Sequence, residues 1–174
     1  MSKQDIVLMS TADWENPFWT NKQHVAVELA RSGHRVLYID SLGLRRPSAS
    51  ARDLKRIIKR LLKALRPPRK VRENLWVWSP IVLPWHGNSC VRLINKALLN
   101  TGLWGFLKLK KMKREWLWTY NPLTSELFDM STFNYKIYHC VDEIKAQPGM
   151  PVKTLETAEK TLAHEVDIIF TTSA

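Results

Sequence analysis

The sequence predicts an α/β protein with a doubly wound, mainly parallel sheet of about six strands. Three observations carry that prediction. Short apolar runs rich in β-branched residues recur along the chain, stretches with helical spacing separate them, and several runs end in small polar or acidic residues such as Ser10-Thr11, Asp40, Asn121 and Asp142. Strands that alternate with helices pair in parallel, because each crossover brings the chain back to the same end of the sheet. At 174 residues the chain is long enough for one domain with a sizeable core and too short for two of ordinary size.

The first unit sets the pattern. Asp5 to Met9 is a short apolar run, and a helical pattern starting near Trp19 carries Val25, Leu29 and Ala30 to a stop at Gly33. Arg35 to Asp40 then resumes as a second strand, which completes a right-handed βαβ unit. The loop between, Asp13-Trp14-Glu15-Asn16-Pro17-Phe18-Trp19, leaves the carboxyl end of the first strand, where such sheets bind ligands, so residues Thr11 to Phe18 are expected to line a cleft. Exposed aromatic groups there would mark an interaction site. Trp14 and Trp19 equally suit the gap between helix and sheet, since tryptophan is mostly buried. Neither G-x-G-x-x-G nor G-x-x-x-x-G-K-[ST] occurs, so the usual dinucleotide and phosphate-loop fingerprints are absent.

A polar connection, Ser41 to Ser50, leads to Asp53–Arg66, where Leu54, Ile57, Ile58, Leu61, Leu62 and Leu65 define one aliphatic helical face. Pro67-Pro68 ends it. The chain's formal charge is +11, and the stretch from Arg52 to Lys70 holds nine basic residues against the single acid Asp53, a local net of +8. A crossover helix packed on the sheet accounts for the aliphatic stripe but not for a nearly all-cationic polar face that includes Arg56, Lys59, Arg60 and Lys63. Contact with an anionic membrane surface, contact with nucleic acid, and a plain solvated face are the three readings of that face.

Leu75 to Pro80 reads as the third strand, with Trp76 and Trp78 on one face and a hydrophobic exit loop, Ile81 to Gly87. Asn88 or Ser89 caps the next helix, which is expected to break at Gly102. Leu103 to Leu107, followed by Lys108, Lys110, Lys111, Lys113 and Arg114, forms a second apolar and basic patch, a candidate to share the membrane face with the first. The fourth strand is Trp116 to Pro122 with its loop, a short helix runs from Thr124 or Ser125 to Met130, and the fifth strand is Tyr135 to Val141, ending at Asp142-Glu143. A helix from Thr154 to His164, with Glu156, Glu159 and Lys160 outward, precedes the sixth strand, Val166 to Phe170. No helix follows that strand, as expected of a domain cut from something longer or followed by a second one.

Cys90 and Cys140 lie far apart, and the five histidines show no zinc spacing, so neither a metal site nor a disulfide framework is expected. No signal-type apolar region precedes the first strand, and Leu93 to Leu109 is interrupted by Asn95, Lys96, Asn100 and Lys108. A cytoplasmic setting without a membrane span is the expectation.

The ordered series Ser10 to Trp14 with Gln23-His24, Val36 to Asp40, Leu75 to Pro80, Trp118 to Pro122, Tyr138 to Glu143 and Ala163 to Ser173 resembles the N-terminal half of GT-B glycosyltransferases, in the TuaH-like teichuronic acid transferase group. The resemblance covers nearly the whole chain and implies one half of a GT-B architecture. In that architecture two Rossmann-like domains face each other across a cleft; the N-terminal one holds the acceptor and touches the membrane, and the C-terminal one binds the nucleotide sugar. It implies a full-length hexosyltransferase that needs no cofactor and acts on a glycan or lipid-linked acceptor, peripheral at the inner face of the membrane. The chain alone, lacking the donor domain, is expected to be inactive.

Asp13, Trp14, Asn16, Trp19, Gln23 and His24 would then face the partner domain, with Asn121 and Asp142 at the ends of inner strands. The start of the first helix is a candidate holder of a sugar diphosphate. Asp142 is the candidate to orient or deprotonate an acceptor hydroxyl, and capping of the next turn is its alternative role. His24 and His86 are weaker candidates, and His139 is expected to point into the sheet packing. Two other classes stay open: a non-catalytic membrane-docking module, and a basic domain that binds single-stranded nucleic acid. Nucleic acid is not the expected partner, because the basic residues and the aromatics are not interleaved along the chain.

Overall fold

A computed structural model describes residues 2–42, 67–80, 82–83, 89–141, 144–146 and 150–172. The elements in chain order are β1 (Asp5–Met9), α1 (Asn21–Arg31), β2 (Arg35–Ile39), β3 (Arg69–Arg72), β4 (Leu75–Trp78), α2 (Ser89–Lys110), β5 (Trp116–Thr119), α3 (Thr124–Leu127), β6 (Tyr135–Cys140), α4 (Val152–Glu165) and β7 (Ile168–Thr171). Single turns of 3-10 helix occur at Met130–Thr132 and Ile144–Ala146.

The strands form one sheet in the order β3-β4-β2-β1-β5-β6-β7, parallel throughout except for β3 against β4. Counting only the parallel strands, the order is 3-2-1-4-5-6, as in doubly wound dinucleotide-binding sheets, and it reverses between β1 and β5. The fold is a mixed α/β layer structure compatible with a Rossmann-like domain.

The period of two in each strand divides the core. Ile6 and Leu8 of β1 and Val36 and Tyr38 of β2 pack with Ala26, Val27 and Ala30 of α1 on one face. Val7, Met9, Leu37 and Ile39 point to the other face, against Leu99, Leu103 and Phe106 of α2 and Leu155, Ala158 and Leu162 of α4. Because β1 is buried on both faces, every residue from Asp5 to Met9 is inaccessible, which is why the run reads as continuously apolar after its first residue.

Four expectations need correction. The sheet has seven strands, because Arg69–Arg72 forms an antiparallel edge hairpin with β4 through Asn74, whose φ of 57° supplies the left-handed turn. Its Arg-Lys-Val-Arg composition hid it inside the basic run, yet charged side chains are what a sheet edge uses to avoid further pairing. Second, α2 does not break at Gly102 but runs on to Lys110. A Cβ at Gly102 would lie 2.6 Å from Cζ2 of Trp78, so the glycine is there to let the indole lie against the helix. Third, α1, expected to start near Trp19, begins after Thr20, since the Gln23 side chain accepts the Thr20 N–H at 3.1 Å and closes a capping box. Fourth, Glu159 is not outward: its carboxylate accepts the Tyr138 hydroxyl at 2.6 Å. The expected helix Asp53–Arg66, with Arg56, Lys59, Arg60 and Lys63, lies outside the described residues, as do His86, Asp142 and Glu143.

Candidate functional site

The reversal of strand order brings the carboxyl ends of β1 and β5 side by side, joined by the Tyr120 N–H to the Met9 carbonyl at 2.9 Å. The loop leaving β1 is fastened from beneath by polar groups. Tyr38 hydrogen-bonds Ser10 Oγ at 2.7 Å and the Ala12 carbonyl at 2.8 Å, and the Gln23 amide donates to the Asp13 carbonyl at 3.0 Å. Asp40, at the end of β2, accepts the Trp14 N–H at 2.7 Å through Oδ1 and the Ser79 hydroxyl through Oδ2. In a dinucleotide-binding sheet an acid near this point takes the ribose. Here both carboxylate oxygens hold the protein's own loop.

This fastening settles where several expected residues lie. Trp14 is buried, with its ring 4.9 Å from that of Trp19 and 5.2 Å from that of Tyr38, so it fills the gap between α1 and the sheet. Gln23 is fully buried as a cap, and Asn121 is buried with its Oδ1 accepting the Leu123 N–H at 3.0 Å. Asn16 is exposed and accepts the Phe18 N–H, and His24 is exposed with its ring edge-on to Trp19, which also lies under the Arg72 guanidinium. Asp13 is half-buried at the loop's start. The structure therefore gathers Asp13, Trp14, Trp19 and Gln23 in one place, largely as the framework of the loop.

What opens at the reversal point is a shallow depression lined by Thr11, Lys22, Tyr120, His139, Cys140 and Val141. Lys22 sits in the first turn of α1, is only 4% exposed, and holds its ammonium 5.7 Å from the centroid of the Tyr120 ring. Tyr120 is 2% exposed and its hydroxyl has no hydrogen-bond partner. Burial pushes its pKa well above the ordinary phenol value, against a smaller lowering by the Trp118 indole N–H. The phenol therefore keeps its proton and can donate.

His139 stacks on Tyr120 at 4.8 Å between centroids, and its buried Nδ1 is also without a partner. Burial, and then the charge of Lys22, hold its pKa below the usual histidine value, so the ring is neutral at pH 7. Buried polar atoms without partners are rare in folded proteins and call for a physical reason. A cation, a protonated phenol and a neutral imidazole thus meet at one concavity.

The sequence does not single out Lys22 or Tyr120; His139 packs among the strand aromatics Trp118, Tyr120 and Phe170, as expected, and also lines the depression. One signal was present. A lysine in the first turn of a helix opposes the helix dipole, an uncommon placement. Cys140 and Val141, which immediately precede Asp142, also line the depression. Among the described residues no three His, Cys, Asp or Glu side chains gather as metal ligands would. No protein-family model matches the chain, and no curated protein matches it.

Proposed function

We propose that this domain is the acceptor-side half of a two-domain glycosyltransferase that moves a sugar from a nucleotide-sugar donor to a glycan or lipid-linked acceptor. The observation that carries the reading is the depression at the reversal of strand order, where Lys22, Tyr120 and His139 offer a charge and two unused polar atoms. The depression is open to solvent and encloses no ligand by itself, so in this reading a second surface completes the site. The resemblance of the strand-end series to GT-B transferases supplies the identity of that surface, a donor-binding domain.

In this arrangement Lys22 neutralises a phosphoryl oxygen of the sugar diphosphate, and the Tyr120 phenol donates a hydrogen bond to it. His139, neutral, lines the same depression beside Tyr120. Asp142, next in the chain after Val141, retains its proposed role of orienting or deprotonating the acceptor. Membrane association through Arg56, Lys59, Arg60 and Lys63 belongs to the same proposal.

The test is a transfer assay with radiolabelled nucleotide sugars. The chain supplied with a donor-binding domain, as expressed together with the coding sequence downstream of it, should transfer sugar, and Lys22→Gln should lower turnover by 10²-fold or more, the loss typical when one preorganised electrostatic group is removed. The 174-residue chain alone should transfer none. Turnover by the pure chain would rule out the half-site, and an unchanged rate in Lys22→Gln would remove the depression from the mechanism.

A further inference from the structure

On the face of the sheet opposite α1, helix α2 presents a second surface that the transferase reading does not use. At 100° per residue, Leu93, Ile94, Leu98, Trp104 and Leu109 fall within one arc of about 160° centred on Thr101. All five are exposed, between 45% and 75%. The opposite side of the helix carries the buried residues Leu99, Leu103, Phe106 and Leu107, which pack on the sheet. An ordinary surface helix places polar groups on its outer side; this one is apolar on both, and an exposed patch of that kind marks a contact with another molecule. No described helix is long and apolar enough to cross a membrane.

The pattern within the arc reads the same from either end. Leu93 and Leu109 lie eight residues on either side of Thr101, and Leu98 and Trp104 lie three residues on either side. A second copy of α2 laid antiparallel across the first, related by a two-fold axis at Thr101, therefore sets Leu93 against Leu109 and Leu98 against Trp104 at both ends of the contact. Ala97 then meets Gly105. Both are exposed, and a Cβ at Gly105 would touch nothing within 4 Å, so small residues on either side of the axis let the two backbones approach. Ile94 falls opposite Lys108, whose aliphatic stem can cover it while the ammonium stays in water.

The charges beside α2 are of both signs, and they are sorted along its length. Toward its N-terminal end and middle the helix stands next to acids: Arg92 pairs with Glu126 at 3.8 Å, and Asn100 accepts the Asp129 N–H at 3.3 Å. Its C-terminal end carries exposed Lys108 and Lys110, followed by Lys111. Antiparallel pairing brings the lysine end of each copy alongside the acid-flanked end of the other, whereas parallel pairing would set lysines against lysines. Charge thus selects the same arrangement as the apolar pattern.

We infer that the outer face of α2 is the contact surface of a homodimer, in which the α2 helices of two copies pack antiparallel about a two-fold axis at Thr101. From Leu93 to Leu109 the face is about 24 Å long, at the small end for a protein interface, so the pair forms reversibly with a dissociation constant of about 1–100 μM. The depression beside Lys22 takes no part in the contact. The dimer is tested without any transferase assay, so failure of either reading leaves the other standing.

The experiment is sedimentation velocity of the whole 174-residue chain over a concentration series from about 1 to about 300 μM, which brackets the expected dissociation constant. The weight-average mass should rise with concentration from 20.3 kDa toward twice that value. The variant Leu93→Ser/Leu98→Ser/Leu109→Ser should pair at least tenfold more weakly while keeping its circular dichroism and urea midpoint, because all three side chains are already exposed. The register is read by cross-linking in a Cys90→Ser background. Thr101→Cys, on the axis, should give a covalent dimer under mild oxidation, and Lys110→Cys, on the opposite side of the helix, should not. A wild-type chain that stays monomeric throughout, whether or not it binds phosphatidylglycerol vesicles, overturns the inference. So does a dimer that the triple-serine variant retains, which would place the contact on another surface. Absence of the Thr101→Cys cross-link, or its appearance with Lys110→Cys instead, overturns the two-fold arrangement.

Discussion

Gly102 shows how one residue can mislead a reading of the sequence and still be explained by the structure. Glycine inside a helical pattern reads as a stop, but here the absent Cβ makes room for the Trp78 ring, whose Cζ2 and Cη2 would lie 2.6 and 2.8 Å from it. Gly102→Ala gains up to about 1 kcal/mol of helix propensity and forces a rigid indole to move, an overpacking cost of about 1–3 kcal/mol. A net loss of about 1 kcal/mol is expected in urea denaturation, and a variant more stable than wild type would show that Trp78 has room to yield. The depression was only partly legible for a related reason. The sequence places Asp13 and Trp14 in the loop that leaves the first strand, but whether a side chain faces a cleft or the packing beneath it depends on the fastening by Tyr38, Asp40 and Gln23, which no local pattern encodes. Tyr120 and His139 meet only when β5 and β6 pair, so their stacking is a product of the sheet.

Among the elements, strands written as apolar or aromatic runs were the readable ones, including β7, which is exposed at every residue. β1, β2, β4, β5 and β6 each stand out as apolar or aromatic runs of four to six residues, whereas β3 is a charged edge strand with only Val71 partly packed. The end of α2 depends on contacts distant in sequence. The helix closes with Met112 N–H to the Leu107 carbonyl at 2.8 Å and Lys111 N–H to the Lys108 carbonyl at 3.2 Å, with Lys111 at φ 50°. Arg35 then caps the helix end: it grips Asp5 through two bonds of 2.6 Å and donates to the Lys110 and Lys111 carbonyls, while Asp5 accepts the Lys113 N–H. Arg35→Ala would leave the buried Asp5 carboxylate without its cation and the helix end uncapped. Charged hydrogen bonds of this kind contribute about 1.5–3 kcal/mol, and the lower end applies because the guanidinium is more than a third exposed. Hydrogen exchange should quicken in the last turn of α2 ahead of the sheet; equal protection in both would show that Arg35 does not hold the helix end.

For the molecule as a whole, the strand order makes the junction of β1 and β5 the place where a ligand is expected, and the unused polar atoms of Tyr120 and His139 lie there. His139 links that site to pH. Its folded pKa lies below the ordinary value of 6.5, so the unfolded chain binds more protons near that pH; its contribution to stability is present above about 6.5 and is lost as pH falls through the folded pKa. An anion seated beside Lys22 reverses the balance, because negative charge favours the imidazolium. The most direct measurement is an NMR titration of the His139 ring across pH, with and without inorganic pyrophosphate, in the wild type and in Lys22→Gln. The account predicts that His139 titrates below 6.5 in the free chain, that pyrophosphate raises its pKa and binds more tightly as pH falls, and that Lys22→Gln weakens this binding by about tenfold or more. A His139 resonance that does not respond to millimolar pyrophosphate, or an affinity that Lys22→Gln leaves unchanged, would contradict an anion site at the reversal of strand order.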